Sequence, residues 1–147
     1  MTFTPAPAHP APVASRWPAA ACYLAAISST VGGALIVWTV GDRLGDVDLV
    51  VGSGTDAITV GPGAVALVSL LAAVAALALA AVLARVARRP RRTWEVVAAA
   101  VLLVSLLRPL GAASITAGVQ LVALHATVAL ALFTSVPRLL PARRPQP

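Results

Sequence analysis

The sequence has little charge, few aromatic side chains and no lysine. Only 11% of its 147 residues are charged and 4% are aromatic, whereas 59% are hydrophobic. A soluble globular domain usually carries about 25% charged and 45–50% apolar residues. A chain this short cannot bury so much apolar surface behind so few charges, so a soluble globular enzyme is nearly excluded. Disorder along the whole chain is also excluded, because disordered chains are poor in hydrophobic residues.

Residue sets typical of catalysis are also missing. A single cysteine, Cys22, excludes an internal disulfide bond and a cysteine-based metal cluster. The sequence has no Ser-His-Asp set, no phosphate-binding loop and no dinucleotide-binding turn. His125 and Arg108 alone are too few for acid–base chemistry. We therefore predict a protein that is not an enzyme and has no cofactor or bound metal.

Long apolar segments dominate the chain instead. A membrane-spanning helix needs about 20 apolar residues. The predicted spans cover residues 19–40, 64–84, 94–113 and 117–136. The third is the least regular, because only 14 residues precede Arg108 and Pro109 and the span must extend to Ala113. The predicted fold class is an all-α membrane protein, a bundle of four transmembrane helices.

The remaining segments are tails and one loop. Residues 1–17 are rich in Pro and Ala, which favours a disordered or polyproline-like tail, and residues 141–147 form a basic, Pro-rich tail. The four-helix domain between them covers residues 18–140. In the loop, residues 46–60 contain two β-prone runs around Gly-Ser-Gly-Thr, which predicts a short external β-hairpin between helices one and two. Two strands alone are marginally stable, so this hairpin must pack on the helices.

The arginines predict the orientation in the membrane. Nine of the eleven lie on one side of the spans: one before the first, five between the second and third, and three after the fourth. Arg43 and Arg108 fall on the other side. Short cytoplasmic loops are enriched in Lys and Arg, so both termini are predicted to be cytoplasmic in a bacterial cell (inner) membrane. This placement disfavours nucleic acid as a partner, whereas loose binding of anionic lipid headgroups fits it.

Tryptophans and small residues support the same arrangement. Trp17 and Trp94 are predicted at the inner interface and Trp38 at the outer one, where indole rings prefer to lie. Small residues allow close packing of helices in lipid. Candidate packing positions are Ala72, Ala76, Ala80 and Ala84 on the second span, and Ser28 with Gly32 and Ser29 with Gly33 on the first.

Arg108 is the most unusual charge, because an arginine in or near the membrane usually has a partner. We expect an ion pair with one aspartate of the outer loop. The candidates are Asp42, Asp46, Asp48 and Asp56. An anion site at Arg108, or simple extension of its side chain to water, are the alternatives. The same aspartates are a weak candidate cation site, because EF-hand spacing is missing, and a solvated acidic loop is favoured.

His125 lies near the middle of the fourth span, where a buried polar group needs a hydrogen-bond partner. Candidate partners are Gln120, Thr127, Ser105 and Ser69. We expect an interhelical hydrogen bond, with a proton-relay or ligand-binding role as the alternative. Glu95, at the inner end of the third span, is predicted to pair with the neighbouring arginines.

The order of these parts resembles a family of small four-span membrane proteins from high-GC Gram-positive bacteria, known only as a domain of unknown function. The resemblance covers about residues 18–140. It rests on Asp46-Val-Asp-Leu, Thr59-Val-Gly-Pro, the Arg-rich link before Trp94, Ser105 with Pro109, and His125. Arg108 is not matched. The resemblance implies the four-span architecture and supplies no activity, cofactor or substrate.

The expected function is therefore that of a non-enzymatic membrane protein. It would act through helix–helix or external-loop contacts as a structural or accessory component, in contact with the lipid bilayer and with a second copy or another membrane protein. The alternative is a small-solute transporter or channel subunit with a polar site around His125, Ser105 and Gln120. Such proteins usually place acidic residues or broken helices at the membrane midplane, and no Asp or Glu lies deep in any predicted span.

Overall fold

The computed structural model describes residues 19–45, 49–51, 58–107 and 114–140. Their elements, in chain order, are α1 (Ala19–Leu44), β1 (Val50–Val51), β2 (Ile58–Thr59), α2 (Pro62–Val86), α3 (Pro90–Ser105) and α4 (Ile115–Leu139). Three of the helices, α1, α2 and α4, are long and apolar enough to cross a membrane. The predicted tails, residues 1–17 and 141–147, lie outside the described residues.

The helix boundaries follow from local chemistry. Both α2 and α3 begin with proline, which has no N–H to leave unpaired in the first turn and whose backbone angle suits a helix. At the start of α4, the Ser114 hydroxyl accepts a hydrogen bond from the Ala117 N–H at 3.1 Å. These start signals lie outside the purely apolar runs. They account for the earlier starts of α2 and α4, and all three long helices also continue two to four residues past the ends of the predicted spans.

The third helix differs most from its predicted span. It begins at Pro90 rather than Trp94 and ends at Ser105, so it has 16 residues. Its last turn closes with the Leu106 N–H donating to the Leu102 carbonyl at 2.9 Å. The helix ends ahead of the Arg-Pro pair, where a proline disfavours helical geometry for the residue before it. Residues 108–113 lie outside the described part of the chain.

Two clusters of buried side chains define the two ends of the helix assembly. The Trp94 cluster contains Ala76, Ala80, Leu83, Trp94, Val136 and Leu140. The Leu49 cluster contains Ala34, Leu49, Val65, Ala117 and Leu124. Both α2 and α4 contribute to each cluster, and both run from the Leu49 end to the Trp94 end. At 1.5 Å per residue, Val65 and Leu83 are separated by about 27 Å, close to the ~30 Å hydrocarbon thickness of a bilayer.

Small residues line the contacts between helices, but only some of the predicted positions are among them. On α1 the buried residues are Ala26, Thr30 and Ala34, one turn apart, together with Gly41 nearer the end of the helix, while Ser28 and Ser29 are exposed. The buried small residues of α2 are Ser69, Ala73, Ala76 and Ala80, while Ala72 and Ala84 are only partly buried. Alanine occurs on every side of these helices. Composition therefore predicts that small residues mediate packing, and cannot show which stripe does so.

A short antiparallel ladder joins β1 to β2, with Val50 opposite Thr59 and Val51 opposite Ile58. The Val60 N–H continues the ladder by donating to the Leu49 carbonyl at 2.8 Å. Leu49 is buried among the helices, which fixes these strands to one end of the assembly. The segments before and between the strands, residues 46–48 and 52–57, lie outside the described residues.

Candidate functional site

Gln120 makes a hydrogen bond between helices. It lies in the second turn of α4, and its Nε2 donates to the Val37 carbonyl of α1 at 2.6 Å. The neighbouring position on α1 is Gly41, which is buried. A Cβ atom at Gly41 would collide with the Gln120 side chain. The absence of a side chain there lets the amide reach the backbone of α1. We call this contact the Gln120–Val37 joint.

A second polar contact fixes the same end of α1. The Trp38 indole Nε1 donates to the Val60 carbonyl at 3.0 Å, directly after β2. Val60 itself pairs with Leu49, which packs in the Leu49 cluster. The last turns of α1 are thereby held both to α4 and to the strand ladder, and Trp38 acts here as a tether as well as an aromatic residue at a helix end.

His125 bonds within its own helix, and among the described residues it does not make the expected interhelical bond. Its Nδ1 lies 2.7 Å from the Leu121 carbonyl, one turn earlier in α4. Because a carbonyl only accepts, this ring nitrogen carries the hydrogen. Thr127 and Ser105 behave in the same way, donating to Ala123 at 2.8 Å and to Leu102 at 2.8 Å. A carbonyl one turn back is the nearest acceptor for a short polar side chain in a helix.

The structure does not join the predicted polar residues into one site. No hydrogen bond connects any two of His125, Gln120 and Ser105 among the described residues. Residues 120 and 125 are five positions apart on α4, which places them about 140° apart around the helix. Gln120 therefore serves the contact with α1, and His125 lies on a different side of α4.

The predicted ion pair of Arg108 remains a prediction, because Arg108, Asp46 and Asp48 lie outside the described residues. Asp42 is described, and its carboxylate lies 3.6 Å from the guanidinium of its neighbour Arg43, with both side chains exposed. Within the described ranges, no group of three or more His, Cys, Asp or Glu side chains is placed to hold a metal ion.

Trp94 is buried inside the protein, which its sequence context does not predict. Its position suggested an indole at the membrane interface, but the side chain is only 2% exposed and lies in the Trp94 cluster. Its Nε1 has no hydrogen-bond partner among the described residues. Pro90 is buried and Ala98 packs against the same cluster. This spacing of four residues on one face of α3 is the signal that would have identified it.

The arginines at the Trp94 end are exposed, and no carboxylate among the described residues pairs with them. They are Arg85, Arg88, Arg89, Arg91, Arg92 and Arg138. In the described part of the chain, the one ion pair is that of Arg43 with Asp42. Glu95 therefore does not pair with its arginine neighbours, contrary to the expectation from sequence. The end of α2, the start of α3 and the end of α4 form a surface of uncompensated positive charge, which we call the arginine surface.

The chain matches a known protein family over most of its length. A model described as a family of unknown function, DUF6069, covers residues 12–142. The chain belongs to this family. The match confirms the resemblance to a domain of unknown function, and it carries no information about the bacterial group. Searches of curated proteins and of solved structures found no match.

In this DUF6069 protein, the described features all lie within the matched region. It contains the Gln120–Val37 joint, the Trp38 tether, His125 and the arginine surface. The family description supplies no activity.

Proposed function

We propose that the protein is a multi-pass protein of the bacterial cell membrane, acting without catalysis as a structural or accessory component. The main support for the membrane location is the apolar surface of the long helices. Large apolar side chains that are more than half exposed include Leu24, Ile36, Leu67, Val68, Leu71 and Leu130. Soluble monomers rarely expose apolar patches of such extent, whereas lipid tails cover them without cost.

The positions of the helix ends support four crossings of the membrane by the chain. The N-terminal half of α3 lies at the Trp94 end, and the start of α4 lies at the Leu49 end. The chain between Trp94 and Ala117 therefore runs from one end to the other, although α3 itself has only 16 residues. A helix of that length spans about 24 Å, which is most of the ~27 Å between the two ends.

The charges support a cytoplasmic Trp94 end. This end carries the arginine surface, whereas the described residues of the Leu49 end carry Asp42 and Arg43. Positive charge in short loops is retained on the cytoplasmic side. With an even number of crossings, both termini lie in the cytoplasm and the β1–β2 ladder lies outside.

The hydrogen bonds that the polar side chains make support an accessory role. His125 and Ser105 bond to their own helices, and Gln120 holds α4 against α1. These are the side chains that a solute pathway would need to direct into one shared cavity. Their use in local and interhelical bonds favours a packed protein that acts through its outer faces and its external ladder. Transport is therefore the weaker of the two candidate functions.

Photo-crosslinking in native membranes tests the accessory role. A photoreactive residue is placed at exposed positions on different surfaces, Leu67, Leu130 and Ile58, with buried Ala73 as the matched control. We expect one exposed position to give a single, stoichiometric adduct with a second copy or another membrane protein, and Ala73 to give none. Lipid adducts alone at every exposed position, together with solute uptake by the protein in liposomes, would contradict the proposal.

A further inference from the structure

The arginine surface concentrates positive charge on a short link. Only Ala87, Arg88 and Arg89 connect α2 to α3, so the last turn of α2 and the first turn of α3 are held side by side. Five arginines occur between positions 85 and 92, and all five side chains are exposed. Arg138 belongs to the same end, because its neighbours Val136 and Leu140 pack with Trp94. Like charges this close repel one another unless an anion lies between them.

The described residues do not supply that anion. No carboxylate lies within 4.0 Å of these six guanidinium groups in the described residues, although Glu95 is one turn away on α3. The first turn of α3 contains no acidic residue, and Arg89 makes no side-chain cap. The positive end of the helix dipole thus adds to the arginine charge instead of opposing it.

The arginine surface lies at the depth in the membrane where lipid headgroups are found. Exposed apolar side chains continue to the end of α2, at Val82 and Val86, and resume on α3 at Val96. The arginines lie between these positions, where the apolar surface is interrupted. In a protein with the membrane placement proposed above, this is the depth of the lipid phosphates.

We infer that the arginine surface is a binding site for anionic phospholipid headgroups of the cytoplasmic leaflet. This inference rests on the proposed membrane placement. Guanidinium groups donate paired, charge-assisted hydrogen bonds to phosphate oxygens, and the exposed Val82, Val86 and Val96 contact the acyl chains of the same lipids. The bound lipid neutralises charge that no described carboxylate neutralises, and it fixes the α2–α3 link against the bilayer.

Native mass spectrometry of the full-length protein tests the inference. The protein is released from nanodiscs of phosphatidylcholine and phosphatidylglycerol in equal amounts, and the retained lipids are counted. We expect phosphatidylglycerol to be retained preferentially, with a preference that falls as salt is raised. Arg→Gln at positions 88, 89, 91 and 92 should lower that preference by about fivefold per arginine. Retention of the two lipids in equal numbers by the unaltered protein would overturn the inference.

Two control variants test whether the lipid preference depends on the arginine surface and on its charge. Arg→Lys at the same four positions preserves the charge and should retain most of the preference. Arg→Gln at four other arginines, Arg16, Arg43, Arg143 and Arg144, removes the same charge elsewhere and should leave it intact. An equal loss in this second control, or displacement of the lipid by RNA at low concentration, would show general polyanion binding instead.

Failure of the membrane placement gives a different result from failure of the lipid site. In intact cells, a cysteine at Arg88 should be protected from an impermeant thiol reagent. Labelling of that cysteine from outside would contradict the proposed orientation, whereas protection together with equal lipid retention would overturn only the lipid site.

Discussion

Gly41 determines how closely α1 and α4 approach at the Leu49 end. Its position is filled by the Gln120 side chain, which donates to the carbonyl of Val37. At Gly32, nine residues earlier on the same helix, a Cβ would meet no other part of the described chain within 4 Å. Two glycines of one helix therefore differ in what a methyl group would meet, and they form a matched pair for mutation.

Gly41→Ala should destabilise the protein by about 1–3 kcal/mol, because the added methyl displaces Gln120 and separates the helices. Gly32→Ala should leave the free energy of unfolding unchanged or raise it by up to about 1 kcal/mol, since alanine favours helix. Unfolding in mixed detergent micelles, followed by circular dichroism, measures both. Equal destabilisation by the two substitutions would show that the contact at Gly41 is not special.

Gln120→Ala removes the interhelical hydrogen bond and should cost about 0.6–2 kcal/mol. In that background Gly41→Ala should cost less than it does alone, because the side chain with which the methyl collides has been removed. The double-mutant cycle gives the coupling, which we expect to be about 1 kcal/mol. Ser105→Ala, which removes a bond within α3, is the control and should be additive with Gly41→Ala. If the effects of Gln120→Ala and Gly41→Ala on the free energy of unfolding are simply additive, the proposed role of the Gln120–Val37 joint is refuted.

At the level of the elements, α3 is attached to the rest of the protein mainly through one face of its N-terminal half. Pro90 and Trp94 are its buried residues, whereas Val101, Leu103 and Val104 of its second half are exposed. One aromatic side chain thus anchors α3 to α2 and α4, and the apolar side chains of its second half remain exposed.

Trp94→Ala should lower the free energy of unfolding by about 3–5 kcal/mol, because it opens a large cavity in the Trp94 cluster. Trp94→Phe should cost less than about 1.5 kcal/mol, since it keeps most of the ring volume and removes an N–H that has no partner among the described residues. Val101→Ala is the exposed control on the same helix and should change stability little. Unfolding in mixed detergent micelles, followed by circular dichroism, compares the stabilities of the three variants. A Phe variant as unstable as the Ala variant would indicate an essential bond from Nε1.

The sequence predicts the order of the helices more readily than the contacts between them. Hydropathy locates apolar runs, so α1, α2 and α4 were placed well, whereas α3 was not, because its start is set by Pro90 within an arginine-rich link. Contacts depend on which side of an alanine-rich helix faces inward. The burial of Trp94, the local bond of His125 and the meeting of Gln120 with Gly41 all depend on that rotation, and only the three-dimensional arrangement fixes it.

For the molecule as a whole, the proposed account depends on the separation of charge between two ends about 27 Å apart. The Trp94 end carries six exposed arginines, and the Leu49 end carries the strand ladder with Asp42 and Arg43. If this separation sets the orientation, the arginine surface, the lipid site and both termini share the cytoplasmic side.

Cysteine labelling in intact cells tests this most directly. In a Cys22→Ser background, single cysteines are placed at exposed Arg88 in the α2–α3 link and at exposed Asp42 near the end of α1. We predict that an impermeant thiol reagent labels the cysteine at 42 in intact cells and the cysteine at 88 only after lysis. The reverse pattern would invert the orientation, and labelling of both sites to the same extent in intact cells would contradict the membrane placement itself.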